Sequence, residues 1–67
     1  MNKTVTSIRV GVDEDVTLSR YFNALELGPT VARQRAASYA TTQHALGRSV
    51  STIEYYSDGT CYEFKSR

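Results

Sequence analysis

The 67 residues predict a small α+β domain, a four-stranded antiparallel sheet with one helix packed on one face, in the order strand, strand, helix, strand, strand. Three observations carry that prediction: a period-2 run from Thr4 to Val12, a helix opened by Gly28-Pro29 and closed by Gly47, and an Asp58-Gly59 turn between two strand-forming runs.

In the first run Thr6, Ile8, Val10 and Val12 fall on one side, with Val5, Ser7, Arg9 and Gly11 on the other, the pattern of a half-buried strand. The acidic cluster Asp13-Glu14-Asp15 suits an exposed turn, since three adjacent carboxylates are costly to bury. As a three-residue hairpin loop it would set Val12 against Val16, Val10 against Leu18, Ile8 against Arg20 and Thr6 against Phe22. Val16 to Leu25 also reads as a helix, because Leu18, Tyr21, Phe22 and Leu25 stand at i, i+3, i+4 and i+7. The clustering of Val, Thr, Tyr and Phe favours the strand, with Arg20 snorkelling at a sheet edge.

Proline is favoured at the first helical position, where its missing N–H is not needed, so a helix starts at Pro29 and runs to about Leu46. Gly47 ends it, and Arg48 stands near the terminal carbonyls. One helical face gathers Ala32, Ala36, Tyr39, Ala40, Gln43 and Leu46, mostly small residues that let the helix lie close to a sheet. The final hairpin runs from Ser49 to Tyr56 and from Thr60 to Lys65. A two-residue Asp-Gly loop places Tyr55 opposite Tyr62, Glu54 opposite Glu63 and Ile53 opposite Phe64. Ile53, Tyr55, Tyr62 and Phe64 then face the helix, while Thr52, Glu54, Tyr56, Cys61, Glu63 and Lys65 face outward.

Composition narrows the function classes. The chain is one domain, residues 1–67; a chain this short buries only roughly 60% of its unfolded surface, so a partner or a second copy is expected to complete it. With 8 Lys+Arg against 7 Asp+Glu the net charge of +1 gives no bulk attraction to nucleic acid. The lone Cys61 cannot form an intrachain disulfide, no apolar run is long enough to span a membrane, and Met1 to Thr6 lack the apolar stretch of a signal peptide. A cytoplasmic location is the expectation.

No catalytic or metal constellation is legible. His44 on the helix and Cys61 on the last hairpin are placed apart, one His with one Cys is short of a zinc site, and the four glycines are scattered singly. The expected protein is therefore not an enzyme and takes no cofactor. Two surfaces stand out as partner-binding candidates. One is the helix stripe of Arg33, His44 and Arg48, suited to an acidic partner or a weak direct nucleic-acid contact. The other is the open sheet face around Glu54, Tyr56 and Glu63, where two opposed carboxylates call for a cation from a neighbour or a partner.

Val31-Ala32-Arg33 and Ala36-Ala37 on the helix, then Ile53-Glu54-Tyr55 and Asp58-Gly59 on the hairpin, resemble the helix and hairpin of small phage-encoded anti-CRISPR proteins that inhibit type I systems. The resemblance covers the last 40 residues or so. It implies a non-catalytic inhibitor that occupies the target-DNA path or a protein surface of a CRISPR surveillance complex in the host cytoplasm; the near-neutral charge argues against mimicry of a duplex. Ala24-Leu25-Glu26-Leu27-Gly28 followed by Thr30-Val31-Ala32-Arg33 also resembles a helix-turn-helix, with the last hairpin as a wing. That alternative implies a small DNA-binding regulator built on residues 16–46, although Pro29 stands where the motif usually has an aliphatic residue. The favoured expectation is a protein that binds and inhibits by covering a surface of a larger protein or protein–nucleic acid complex, with a homodimer as one form.

Overall fold

The computed structural model describes residues 3–66, with no account of the Ser66 side chain; Met1 and Asn2 of the N-terminal segment read above lie outside the described residues. The elements are β1 (Val5–Val12), β2 (Arg20–Asn23), α1 (Ala24–Leu27), α2 (Pro29–Ala45), β3 (Val50–Tyr56) and β4 (Cys61–Ser66). The strands form one antiparallel sheet in the order β2-β1-β3-β4, and α2 packs on β1, β3 and β2. This is the expected α+β architecture. The helix-turn-helix alternative lacks its first helix, because residues 20–23 pair with β1 and a single helical turn, α1, precedes Gly28.

The acidic cluster makes two turns rather than one hairpin loop. Asp13 and Glu14 both take positive φ, 52° and 54°, and the Asp15 N–H donates to the Val12 carbonyl at 2.8 Å, which is the geometry of a type I′ turn. Asp15 then caps a further turn, its Oδ1 accepting from the Thr17 N–H at 2.9 Å. The connection therefore extends to Ser19, and β2 pairs two residues further along than a three-residue loop allows: Val10 opposes Arg20 and Ile8 opposes Phe22. A two-residue shift keeps the same face, so Phe22 still packs beneath the helix and the Arg20 guanidinium stands over the Tyr39 ring, 5.4 Å from its centroid. Beyond β2 the helical template wins for one turn, with Asn23 Oδ1 accepting from the Leu25 and Glu26 N–H groups at 3.0 and 3.2 Å.

The α2 helix begins at Pro29 as expected and ends at Ala45 in a Schellman motif, the Arg48 N–H donating to the Gln43 carbonyl and the Gly47 N–H to that of His44. Ala32, Ala36 and Gln43 are buried, but Leu46, expected on that face, is 63% exposed in the cap. The core is small and mostly β-branched: Val5, Ile8, Val10, Val12 and Val50 from the sheet against Ala24, Ala32 and Ala36. Val5 belongs to it, contrary to the strict alternation, because an irregularity between Val5 and Ser7 breaks the β1–β3 register and turns Val5 inward.

The last hairpin departs most from expectation. Its loop has three residues, Ser57-Asp58-Gly59, closed by the Tyr56 N–H donating to the Thr60 carbonyl at 2.9 Å. A two-residue Asp-Gly loop needs positive φ at both positions, and of the pair only Gly59 has it, at 88°. Asp58 instead accepts from the Thr60 N–H and hydroxyl at 3.0 and 2.6 Å, fixing the longer loop. The register moves by one residue, so Glu54 opposes Tyr62, Ile53 opposes Glu63 and Thr52 opposes Phe64. The faces of β3 are the reverse of those expected: its pairing with β1 puts Val50, Thr52, Glu54 and Tyr56 on the side of Ile8 and Val10, and Ile53 and Tyr55 with Arg9 and Ser7 on the open face.

Ala32 is fully buried and Ala37 exposed on the same helix, which makes the close approach of α2 testable. Ala32→Leu should overpack the helix–sheet contact and destabilise by roughly 1–3 kcal/mol, and Ala37→Leu should stay within about 0.5 kcal/mol of the parent in urea unfolding.

Candidate functional site

Arg33 and Glu54, expected on separate surfaces, meet. The Arg33 Nε donates to Glu54 Oε2 at 3.0 Å and its Nη2 to Oε1 at 3.3 Å, a bidentate pair linking the first half of α2 to the middle of β3. Tyr56, two residues along the same strand face, donates its hydroxyl to Glu54 Oε1 at 2.7 Å. Glu54 is only 7% exposed, whereas the Arg33 side chain keeps half its surface in water. Glu54 is thus no outward carboxylate, and its expected opposition to Glu63 does not occur: the one-residue register change sends the two to opposite faces. Tyr56 is likewise turned to the helix side, where the Lys3 ammonium stands 4.5 Å from its ring centroid.

Burial pushes the Glu54 carboxyl up, but the hydrogen bonds from Arg33 and Tyr56, with the guanidinium charge, more than offset it and hold the group below its ordinary value. The same hydrogen bonds raise Arg33, and raise Tyr56 together with its own burial. These three side chains answer one another's charge and polarity, an arrangement suited to holding α2 on β3.

The other stripe residues divide. Arg48 is half-buried and donates to the side chain of Gln43, itself 8% exposed, so this cation serves the helix end. His44 lies exposed in the last turn of α2. Glu63 is exposed on the open face of the sheet.

That open face is built of rows read straight across the strands. Tyr21, Arg9, Ile53 and Glu63 form one row, and Asn23, Ser7, Tyr55 and Cys61 the next. Tyr21 is 68% exposed; Arg9, Ile53 and Tyr55 are half-buried. The Arg9 guanidinium folds back over Gly11, where a Cβ would lie 3.0 Å from its Nη1, and there it edges a concavity of about 550 Å³. Two cations, Arg9 and Lys65, stand around that concavity among the carboxylates of Asp13, Glu14 and Glu63. Sequence reasoning missed Arg9, Tyr21, Ile53 and Tyr55 as one surface. Ser57-Asp58-Gly59 taken as a three-residue loop, with glycine in the left-handed position, would have separated Ile53 and Tyr55 from the face of Tyr62 and Phe64; their junction with Arg9 and Tyr21 rests on the pairing with β1.

On the helix side a second groove of about 350 Å³ runs between α2 and β4, floored by Ala36, Ala37 and Ala40 and flanked by Phe64. Among the described residues no group of three His, Cys, Asp or Glu side chains is placed to hold a metal ion, and no helix is long and apolar enough to cross a membrane.

A carboxyl whose folded pKa lies below its unfolded value, near 4.3 for Glu, adds stability that is fully present above that value and is lost as pH falls through the folded one. Glu54→Gln should therefore cost roughly 1–2 kcal/mol in urea unfolding at pH 7 and measurably less at pH 3. An equal cost at both pH values would show that the carboxylate charge contributes nothing.

No protein-family model, no curated protein and no solved structure matches this chain, and its residues and their geometry alone carry a functional reading.

Proposed function

We propose that the chain is a non-catalytic binding protein that acts by covering a surface of a larger protein or protein–nucleic acid complex, through the open face of its sheet. The observation that carries this reading is the row Tyr21–Arg9–Ile53–Glu63 with Tyr55 beside it. Tyrosine and arginine around a central aliphatic residue, rimmed by Ser7, Ser51 and Asn23, is the composition of interface centres, where large rigid side chains supply most of the binding energy. The charge balance supports a protein contact over a polyanion: two cations among three carboxylates offer a phosphate backbone no net attraction. The pairing of Arg33 with Glu54 and of Arg48 with Gln43 takes two guanidiniums of the helix stripe into internal contacts. Inhibition of a CRISPR surveillance complex in the cytoplasm of a phage host is the instance that the helix-and-hairpin resemblance implies.

The test uses the immobilised full chain and a nuclease-treated host lysate. A stoichiometric protein partner should survive nuclease, and its recovery should fall at least tenfold, about 1.4 kcal/mol or more, with Tyr21→Ala or Ile53→Asp but not with Arg35→Ala on the exposed helix surface. A partner lost on nuclease treatment, or a salt-sensitive shift of duplex DNA abolished by Arg33→Ala and Arg48→Ala, would overturn the reading in favour of a DNA-binding regulator.

A further inference from the structure

The β4 strand is the long free edge of the sheet, six residues without proline, whereas the opposite edge, β2, has four residues and runs directly into α1. The hydrogen bond from the Tyr56 N–H to the Thr60 carbonyl sets the phase of the hairpin. Thr60, Tyr62 and Phe64 turn their backbone groups toward β3, and Cys61, Glu63 and Lys65 turn theirs outward. Such a row of unanswered N–H and C=O groups is a template for another strand. On the helix side of this edge Tyr62 and Phe64 are 58% and 44% exposed and stack edge to face at 4.7 Å, beside the groove floored by the alanines of α2.

We propose that β4 pairs antiparallel with β4 of a second copy of this chain, about a two-fold axis normal to the sheet that passes midway between the two Phe64 residues. Such an axis keeps each side chain on its own face, so only residues of like face can oppose one another. Centring on Glu63 would set Glu63 against its own copy, and centring on Lys65 would do the same for lysine, both repulsive. Centring on Phe64 sets Glu63 opposite Lys65 twice over, on the open face. Both residues carry outward-turned backbone groups, so these become the hydrogen-bonded pairs. Phe64 meets Phe64 in the closer, non-hydrogen-bonded pair on the helix side, flanked by the two Tyr62 rings, and covers apolar surface that the single chain leaves in water. The pairing yields an eight-stranded sheet with both helices on one side. The two open faces then lie side by side on the other, uncovered by the contact.

Sedimentation equilibrium of the full chain should show the mass doubling with concentration. Lys65→Glu alone and Glu63→Lys alone should each weaken association at least tenfold, and the doubly swapped chain should recover it. In the unmodified chain the Glu63 and Lys65 amides should gain hydrogen-exchange protection as concentration rises, a readout that needs no variant to fold. A chain that stays monomeric up to about 1 mM, the limit of weak association, or a dimer indifferent to the single swaps, would overturn the proposal. So would edge amides that exchange at one rate at every concentration.

Discussion

A carboxylate aimed at the underside of a helix is tolerable only when its charge is answered on the spot, and at Glu54 the answer comes from Arg33 across the helix–sheet contact and from Tyr56 along the strand. The pair ties the placement of α2 to the register of β3, because only with Glu54 opposite Ile8 does its side chain rise on the helix face. Had the hairpin slipped by one residue on the β1 side as well, Glu54 would point to the open face and Arg33 would have no acid beneath it. Arg33 itself keeps half of its surface in water, so the guanidinium remains partly hydrated while the carboxylate does not. The desolvation cost thus falls mainly on one partner, and that partner has three hydrogen bonds in return.

The register that creates this pair also removes a repulsion. With a two-residue loop, Glu54 and Glu63 would face each other across the hairpin, like charges at directly opposed positions. The Ser57-Asp58-Gly59 loop separates them onto opposite faces of the sheet, one beside Arg33 and the other in water near Arg9 and Lys65. Local turn chemistry and pairwise electrostatics agree here, and together they outweigh the burial that Ile53 and Tyr55 would have gained beneath the helix.

Period and punctuation made the architecture legible: alternation over β1, Pro29 and Gly47 at the two ends of α2, and Asp58-Gly59 in the last turn all correspond to what the chain builds. What was not legible depends on a single residue more or less in a connection. Asp-Gly suits a two-residue loop and the end of a three-residue one alike, and the difference decides whether Ile53 and Tyr55 or Thr52 and Glu54 share the face of Tyr62 and Phe64. The irregularity before Ser7 likewise decides the face of Val5. Between Val12 and Arg20 the side chains of Asp15 and Ser19 accept from nearby backbone N–H groups, and Asp13 accepts from the distant Ser49 N–H, which together shape a connection longer than hydrophobic spacing suggests. The Arg33–Glu54 contact joins residues 21 apart in sequence, and a helix stripe read alone has no sign of the acid waiting on the strand below.

A core of valines, one isoleucine and alanines is thin, and the larger rings stay at its margin: Phe22, Tyr39 and Tyr56 are only half-buried. Tyr39 compensates by donating its hydroxyl to the Leu18 carbonyl, pinning the irregular connection to the helix. The same economy explains the outer face. An antiparallel sheet with one wet side ordinarily carries polar residues there. In this chain that side holds Tyr21, Ile53 and Tyr55, the last two set there opposite Arg9 and Ser7 of β1. Full burial of one such side chain is worth about 1.5–3 kcal/mol, and in the single chain much of that is unrealised. Apolar surface that folding leaves uncovered stays available to association, and around Arg9 it is arranged with both signs of charge at its rim, which selects a partner by complementarity rather than by bulk field.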